Sequence, residues 1–123
     1  MSVVIGSVDI SGQVQEKSYK VDRENVYTSV KDADGIEYRN VYRTKVTGSF
    51  DVWFVTNYGV SYSDFLTALA TATANNVTLI TLDIQNTGTS ESINCYYKIK
   101  TKSERKVNST TTLKIVTVSV EEQ

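Results

Sequence analysis

The fold of this chain is decided by residues 34–54, which read DGIEYRNVYRTKVTGSFDVWF. The stretch opens on Asp34-Gly35, a pair preferred in tight hairpin turns because glycine accepts a positive φ at no steric cost. Residues 36–55 contain no proline and one glycine, and they are rich in the β-branched and aromatic residues that favour strands. The sequence therefore predicts a hairpin whose second strand is unusually long.

Apolar and polar side chains alternate along the second half of that strand. Phe50, Val52 and Phe54 share one face, and the residues between them share the other. This alternation predicts a strand with one buried face. A strand of this length usually has to bend, and Gly48 is the natural position for a β-bulge.

Shorter strand patterns flank the long hairpin on both sides. Residues 3–10 predict a short hairpin that turns at glycine, and residues 19–30 predict two modest strands. Three further strands are predicted within residues 77–85, 92–100 and 110–122, and the loop NTGTS joins the first two as antiparallel neighbours.

The end of the chain contains a polar run followed by a valine-rich strand. The run TKSERKVNST, residues 101–110, is interpreted as a connection between the last two strands. In the strand that follows, Val116, Val118 and Val120 alternate with polar residues, which is typical of half-burial. We therefore expect an edge or end strand there.

One segment changes from strand to helix periodicity. Within SYSDFLTALATATANN, apolar residues that include Phe65, Leu66 and Leu69 recur at intervals of three and four, as on one face of a helix. Ser61 or Ser63 supplies a side-chain cap for the first turn. We expect one helix at about residues 62–74, ended by an asparagine pair that tolerates the left-handed conformation.

These elements predict one domain, residues 1–123, because a single core normally spans on the order of 100 to 200 residues. The predicted fold is mainly β (α+β): an antiparallel β-sandwich or split barrel of about six to seven strands with one flanking α-helix. Proline is absent from the whole sequence. One usual guard against edge-to-edge strand pairing is therefore missing, which leaves strand edges suited to a partner.

Amino-acid composition indicates which partners and which cellular compartment to expect. A formal net charge of −1 argues against specific nucleic-acid binding, which favours clustered positive charge. Cys95 is alone and forms no internal disulfide, which favours a reducing compartment. No apolar stretch has the length of a signal core or a membrane span. We expect a protein made in the cytoplasm, with no membrane association.

The sequence offers little catalytic machinery. It contains no histidine, which excludes Ser-His-Asp and Cys-His arrangements. Cys95 lies in an alternating strand and is interpreted as a small buried hydrophobe. The acids around Asp34-Gly35 are interpreted as turn residues, because the further ligand oxygens that an EF-type calcium loop needs are missing. We predict no enzyme, and no cofactor, metal ion or small-molecule substrate.

Three carboxylates remain as an enzymatic alternative. Asp51, Asp83 and Glu91 would have to converge in a cleft to act as paired glycosidase acids, and nothing in the sequence indicates that they do. Substituting Asp51 or Glu91 tests this alternative directly.

Aromatic and basic residues are interpreted mainly as packing and surface residues. The strand tyrosines are expected in a core or an interface; they are Tyr19, Tyr38, Tyr42, Tyr96 and Tyr97. Two basic sets are either solvated sheet faces or charges that pair across a subunit contact; they are Arg39, Arg43 and Lys45, and Lys98, Lys100, Lys102, Arg105 and Lys106.

Several of these segments together resemble a known group of proteins. They are VDIS at 8–11, YKVDRENV at 19–26, DADGIEYRNVYRTKVTGSFDVWF at 32–54 and SDFLTAL at 63–69. In this order they resemble small structural proteins encoded in the tail gene clusters of phages and prophages of Gram-positive bacteria. Those proteins are distantly similar to the tail tube and distal tail families.

The resemblance implies a subunit that forms a ring, commonly a hexamer, as one layer of a virion tail in contact with neighbouring tail proteins. It also implies that the protein moves from the bacterial cytoplasm, where it is synthesised, to the virion tail. Heterologous contacts would close the ring. The candidate subunit interface comprises Arg39, Tyr42, Arg43, Lys45, Trp53 and Phe54. The main alternative is a monomeric binding module of β-sandwich type that binds carbohydrate through exposed tyrosines.

Overall fold

The structure, a computed structural model, describes residues 1–31 and 33–123, without the side chains of residues 26–30, 37–43 and 86. The strands and the helix follow one another in chain order: β1 (Val3–Ile5), β2 (Val8–Asp9), β3 (Lys20–Lys31), β4 (Glu37–Val55), α1 (Tyr62–Ala72), β5 (Thr73–Ala74), β6 (Val77–Asp83), β7 (Ser90–Lys106) and β8 (Thr112–Glu122). The fold is mainly antiparallel β with one helix, as predicted. The described residues form eight strands, one more than the predicted six to seven, and two of them, β2 and β5, are only two residues long.

The described strands form one sheet, which is curved into a partly closed barrel. The strand order is β2-β1-β6-β7-β8-β4-β3, with β5 paired to β6. Tyr19, just before β3, donates its hydroxyl to the Asp83 carbonyl at the end of β6 at 2.6 Å. Arg23 of β3 forms an ion pair with Glu91 of β7. Because β3 is the last strand of the sheet, these contacts across the opening produce a split barrel.

The core lies inside the curl and is formed by alternating strand residues. Phe50, Val52 and Phe54 of β4 are at most 5 % exposed, whereas Trp53 between them is 37 % exposed. The predicted alternation along β4 is therefore confirmed. Helix α1 covers one opening through buried Phe65, Ala68 and Leu69.

The helix begins as predicted and ends earlier. The Ser61 side chain accepts a hydrogen bond from the Asp64 backbone N–H at 3.1 Å, which satisfies a free donor of the first turn. The helix ends at Ala72, two residues before the predicted end. Asn75 and Asn76 adopt positive φ, but they turn the chain from β5 into β6 rather than close the helix directly.

The predicted long hairpin is present as β3 and β4, with two corrections. The two modest strands expected in residues 19–30 form one strand, because β3 pairs with β4 along its whole length. The register shifts between Val26 and Tyr27, which leaves Tyr42 without a direct partner. The bulge lies there and not at Gly48, which pairs directly with both Val21 and Val120.

Two expectations at the end of the chain were wrong. The polar run expected to connect two strands continues β7 as far as Lys106, because its backbone pairs with the start of β8. Strand β8 lies between β7 and β4 in the interior of the sheet, not at its edge. Alternation of apolar and polar residues indicates that one face is buried, and it carries no information on the number of neighbouring strands.

Candidate functional site

The most distinctive feature of the molecule is an arm formed by residues 25–44, the outer parts of β3 and β4 with the turn between them. Strand β8 pairs with β4 only from Thr47 to Val55, so residues 37–45 pair with β3 alone. Along the described chain, no strand pairs with the outer edge of β3. The eight residues of β4 in the arm extend roughly 25 Å. Among the described strand pairings, neither edge of this two-stranded ribbon has a further strand as its neighbour.

Side chains of the sheet fasten the root of the arm. Arg23 is ion-paired with Glu91, and Lys45 is ion-paired with Glu121. The Val46 backbone N–H donates to Glu122 Oε1 at 3.0 Å, just beyond the last β8 pairing. The described side chains past these contacts are all exposed; they are Glu24, Asn25, Lys31, residues 33–36 and Thr44. The arm therefore projects from a defined root.

The structure separates the six candidate interface residues. Arg39, Tyr42 and Arg43 lie in the arm, but their side chains are outside the described residues. Lys45 contacts Glu121 of the same chain, as expected for a solvated sheet face. Trp53 is 37 % exposed and remains available for a contact.

Phe54 does not belong to a surface. Its side chain is 5 % exposed, and its ring centroid lies 5.1 Å from that of Phe65 and 5.3 Å from that of Tyr62. Because Phe54 has the same strand parity as Phe50 and Val52, it faces the core. We withdraw it from the candidate interface.

A cavity of about 490 Å³ lies at the end of β4 opposite the arm. It is lined by the end of β4, the turn that follows, the first turn of α1 and the start of β8. Lys114 Nζ lies 4.0 Å from the centroid of the Tyr62 ring and 3.8 Å from Glu104 Oε2. Tyr58 is 62 % exposed. We call this site the far-end pocket; it presents an ammonium group beside aromatic rings.

Sequence reasoning missed the far-end pocket because its walls come from separate segments. The one local signal is Asn57-Tyr58-Gly59, in which asparagine and glycine adopt positive φ around an exposed tyrosine. Gln13, buried and distant in sequence, holds this turn in place. Its Nε2 donates to the Val60 carbonyl at 2.9 Å, and its Oε1 accepts from the Val60 N–H at 2.8 Å.

The three carboxylates considered as catalytic acids have separate partners. Asp51 accepts from Lys102 Nζ at 3.0 Å and from Thr117 Oγ1 at 2.8 Å. Asp83 is 1 % exposed and accepts from the backbone N–H groups of the following turn at 2.9 Å. Glu91 pairs with Arg23. Within the described ranges, no group of three or more His, Cys, Asp or Glu side chains is placed to hold a metal ion.

Cys95 is a buried hydrophobe, as interpreted from the sequence. It is fully buried, and its Sγ lies 3.5 Å from the Thr78 carbonyl oxygen. Burial, with a smaller effect of the Glu122 charge, raises the pKa of the thiol to about 11. A thiol held protonated in this way is a poor nucleophile at neutral pH.

Alkaline pH is expected to destabilise the fold because two buried groups, the Tyr19 hydroxyl and the Cys95 thiol, then lose their protons more readily in the unfolded chain. Burial, with a smaller effect of Asp83, raises the pKa of Tyr19 from 10.0 to about 12, and that of Cys95 rises from 9.0 to about 11. Raised pKa values favour the neutral forms in the folded state, so this contribution is complete below about pH 9 and is lost between about pH 9 and 12. The urea midpoint should fall over that interval.

A substitution separates the two groups in this titration. In Cys95→Ala, the fall in the urea midpoint should begin about one pH unit later, because only Tyr19 then titrates. A midpoint that stays constant up to about pH 11 would contradict the assignment of either raised pKa.

Two tyrosines interpreted as core or interface residues are exposed to solvent. Tyr96 is 48 % and Tyr97 is 38 % exposed, and both line a shallow trough of about 350 Å³ across β4, β8 and β7. Tyr19 is 8 % exposed and belongs to the core, as expected. Tyr38 and Tyr42 lie among the residues without described side chains.

Comparison with known proteins found no family model and no curated protein that matches this chain. Over the residues that the structure covers, no helix combines the length and the apolar character needed to cross a bilayer.

Proposed function

We propose that this protein is a non-enzymatic structural subunit of a bacteriophage or prophage tail, and that it assembles with copies of itself into a ring. The arm is the observation that carries the proposal. It exposes two long strand edges without an intrachain partner among the described strands. Natural proteins normally protect such edges, whereas edges intended for a partner are left open.

The sequence supports the same function in two further ways. The arm contains no proline, although proline is a common means of blocking an edge. The resemblance to tail proteins of Gram-positive phages suggests a tube, distal tail or connector layer, a hexamer as the ring size, and other tail proteins as neighbours. The proposed subunit surface contains Arg39, Tyr42, Arg43, Lys45 and Trp53. The function requires no metal ion, cofactor, membrane or sequence-specific nucleic acid.

Removing the arm is the direct test of this function. Glu24 and Lys45 are register partners, so an Asn-Gly turn can replace residues 25–44 and close a two-residue hairpin. We expect the shortened protein to remain folded, because the core cluster formed by the described side chains lies in the retained segments, residues 3–21 and 46–120. We also expect it to lose self-assembly in light scattering and negative-stain microscopy.

Two measurements make this test decisive. Circular dichroism and the thermal midpoint establish that the shortened protein is folded, and light scattering then compares its mass with that of the full chain at equal concentration. If the folded, shortened protein forms the same assemblies as the full chain, the arm is not the contact and the proposal loses its basis.

A carbohydrate-binding monomer is the second candidate function, and the tyrosine trough favours it. Exposed aromatic rings stack on sugar rings, and Tyr96 and Tyr97 both line the trough, together with Lys98 and Ser119. Under this alternative the chain stays at its monomer mass of 13.7 kDa and binds glycans. Tyr96→Ala should then abolish glycan binding and leave the mass unchanged.

A further inference from the structure

The arm tip, residues 33–36, and the far-end pocket lie at opposite ends of one continuous strand. Strand β4 begins at Glu37 beside the tip and ends at Val55 in the lining of the pocket. A strand of 19 residues is roughly 60 Å long at about 3.3 Å per residue. The tip therefore cannot reach the pocket of its own chain, and only a second copy can bring the two together.

The pocket is built to hold its shape before anything binds. Gln13 fastens the turn at Val60 through two hydrogen bonds, and its Nε2 also donates to the Trp53 carbonyl at 3.1 Å. On the opposite wall, Thr56 and Thr112 exchange hydrogen bonds, the shorter of them 2.9 Å. A site organised in this way loses little conformational entropy when it is occupied.

The pocket and the tip are complementary in chemistry. The pocket offers the Lys114 ammonium and the rings of Tyr58 and Tyr62. The tip, residues 33–36, carries Asp34, which is exposed, and Ile36, which is 53 % exposed. A narrow turn that carries one acid and one apolar side chain suits a cavity of about 490 Å³ with a cation and aromatic walls.

Charges around the two sites have opposite sign. The segment from Lys31 to Glu37 contains three acids and one lysine. Beside the pocket, Arg105 and Lys106 are register partners of Leu113 and Thr112, and both are exposed. Asp64 and Glu104 reduce this positive charge, but neither bonds to these two cations within the described part of the chain. The surroundings of both sites thus favour an encounter between different copies.

We propose that the far-end pocket receives the arm tip of a second copy, with Asp34 against Lys114 and Ile36 against the ring of Tyr58. The contact is heterologous, since each copy contributes its tip at one end and its pocket at the other. Heterologous contacts close into a ring when the rotation between copies closes, and otherwise they repeat along one direction. Because the tip and the pocket lie at opposite ends of a long strand, we expect this contact to repeat along the strand direction. This inference rests on the proposed function and deepens it: the contact would join successive layers, whereas the edges of the arm act within a layer.

Charge reversal tests the contact in trans. Asp34→Lys places a lysine opposite Lys114, and Lys114→Glu places a glutamate opposite Asp34. Each variant alone should associate at least about tenfold more weakly than the natural chain, because like charges then meet at the contact. An equal mixture of the two variants should recover association, since Lys at the tip of one matches Glu in the pocket of the other and the second junction is the natural pair.

Light scattering and amide NMR, from micromolar to about millimolar protein, measure this association. Amide signals of the tip and of the pocket should shift together on dilution of the natural chain. Glu16→Lys is the matched control for Asp34→Lys, because Glu16 is an exposed acid outside both sites and both reversals raise the net charge by the same amount. It should associate like the natural chain.

The outcomes separate this inference from the proposed function. Recovery of association in the mixture supports the contact, whatever the state of the rings. Rings that stack equally well in the natural chain and in both variants overturn the inference and leave the ring subunit intact. A natural chain whose tip and pocket signals do not shift up to about millimolar concentration also overturns it. Glycan binding at the pocket with no self-association would overturn both.

Discussion

Gly48→Ala is expected to destabilise the protein more than any other single substitution proposed for this protein. A Cβ at this position would lie 2.3 Å from the Lys20 carbonyl oxygen and 2.6 Å from the Val21 Cα, both of them backbone atoms. These contacts can be relieved only by moving β3 away from β4, which would expose the buried Val21. We expect a loss of about 3 kcal/mol or more, a large part of the roughly 5–15 kcal/mol that stabilises a typical domain.

Chemical denaturation and near-UV circular dichroism measure this loss. Gly12→Ala is the matched control, because a Cβ at Gly12 meets nothing within 4 Å. It should change the unfolding free energy by less than about 0.5 kcal/mol. If the two variants have equal urea midpoints, then β3 and β4 do not approach each other as closely at Gly48 as the structure indicates.

Phe65→Ala is expected to have the second largest effect, a loss of about 3–5 kcal/mol. Phe65 is fully buried, and its ring packs 5.1 Å from that of Phe54 and 6.3 Å from that of Tyr62. Removing the ring leaves a cavity between α1 and the sheet that the aromatic neighbours cannot fill without leaving their own contacts. The helix should then detach before the sheet unfolds.

The adjacent helix residue provides the control for Phe65. Leu66 is 40 % exposed on the outer side of α1, so Leu66→Ala should cost less than about 1 kcal/mol. Equal losses in the two variants, measured by urea denaturation, would mean that the helix does not pack through the face that carries Phe65.

The residues on which stability depends most and the residues proposed for assembly lie in different parts of the fold. Gly48 and Phe65 lie in the covered body of the sheet, whereas the described side-chain contacts at the root of the arm are ion pairs and a hydrogen bond from the Val46 N–H to Glu122. Substitutions at the arm tip should therefore cost much less unfolding free energy than Gly48→Ala or Phe65→Ala, because Asp34 and Ile36 are exposed. A loss of assembly caused by the tip can then be distinguished from a loss of folding.

Local patterns in the sequence predicted most of the elements. Period-two alternation identified the buried face of β4, and the change to a period near 3.6 identified α1 together with its Ser61 cap. The Asp34-Gly35 signal identified the long hairpin, although the last register pair before the turn is Lys31 with Glu37, so the connection is longer than a two-residue turn. Each of these features depends on neighbouring residues alone, which is why the sequence was sufficient.

The errors arose where pairing between distant segments decided the structure. Residues 101–106 are too polar to resemble a strand, yet β8 supplies backbone partners for them. The residues between the two strands expected in 19–30 likewise become part of β3 because β4 lies beside them. At Gly48 the sequence indicated a special backbone position, but only the tertiary structure identifies the cause, the close approach of Lys20 and Val21.

For the candidate site too, some features followed from the sequence and others only from the tertiary structure. By itself, the sequence determined a mainly β domain with one helix, a long hairpin without proline and no histidine. The tertiary structure decided that Phe54 is buried, that part of the hairpin extends beyond β8, and that Lys114, Tyr58 and Tyr62 meet in one pocket. Alternation and turn preferences act between near neighbours, so they are readable along the chain. A pocket depends on which distant segments pack together, and that is fixed by strand pairing and burial.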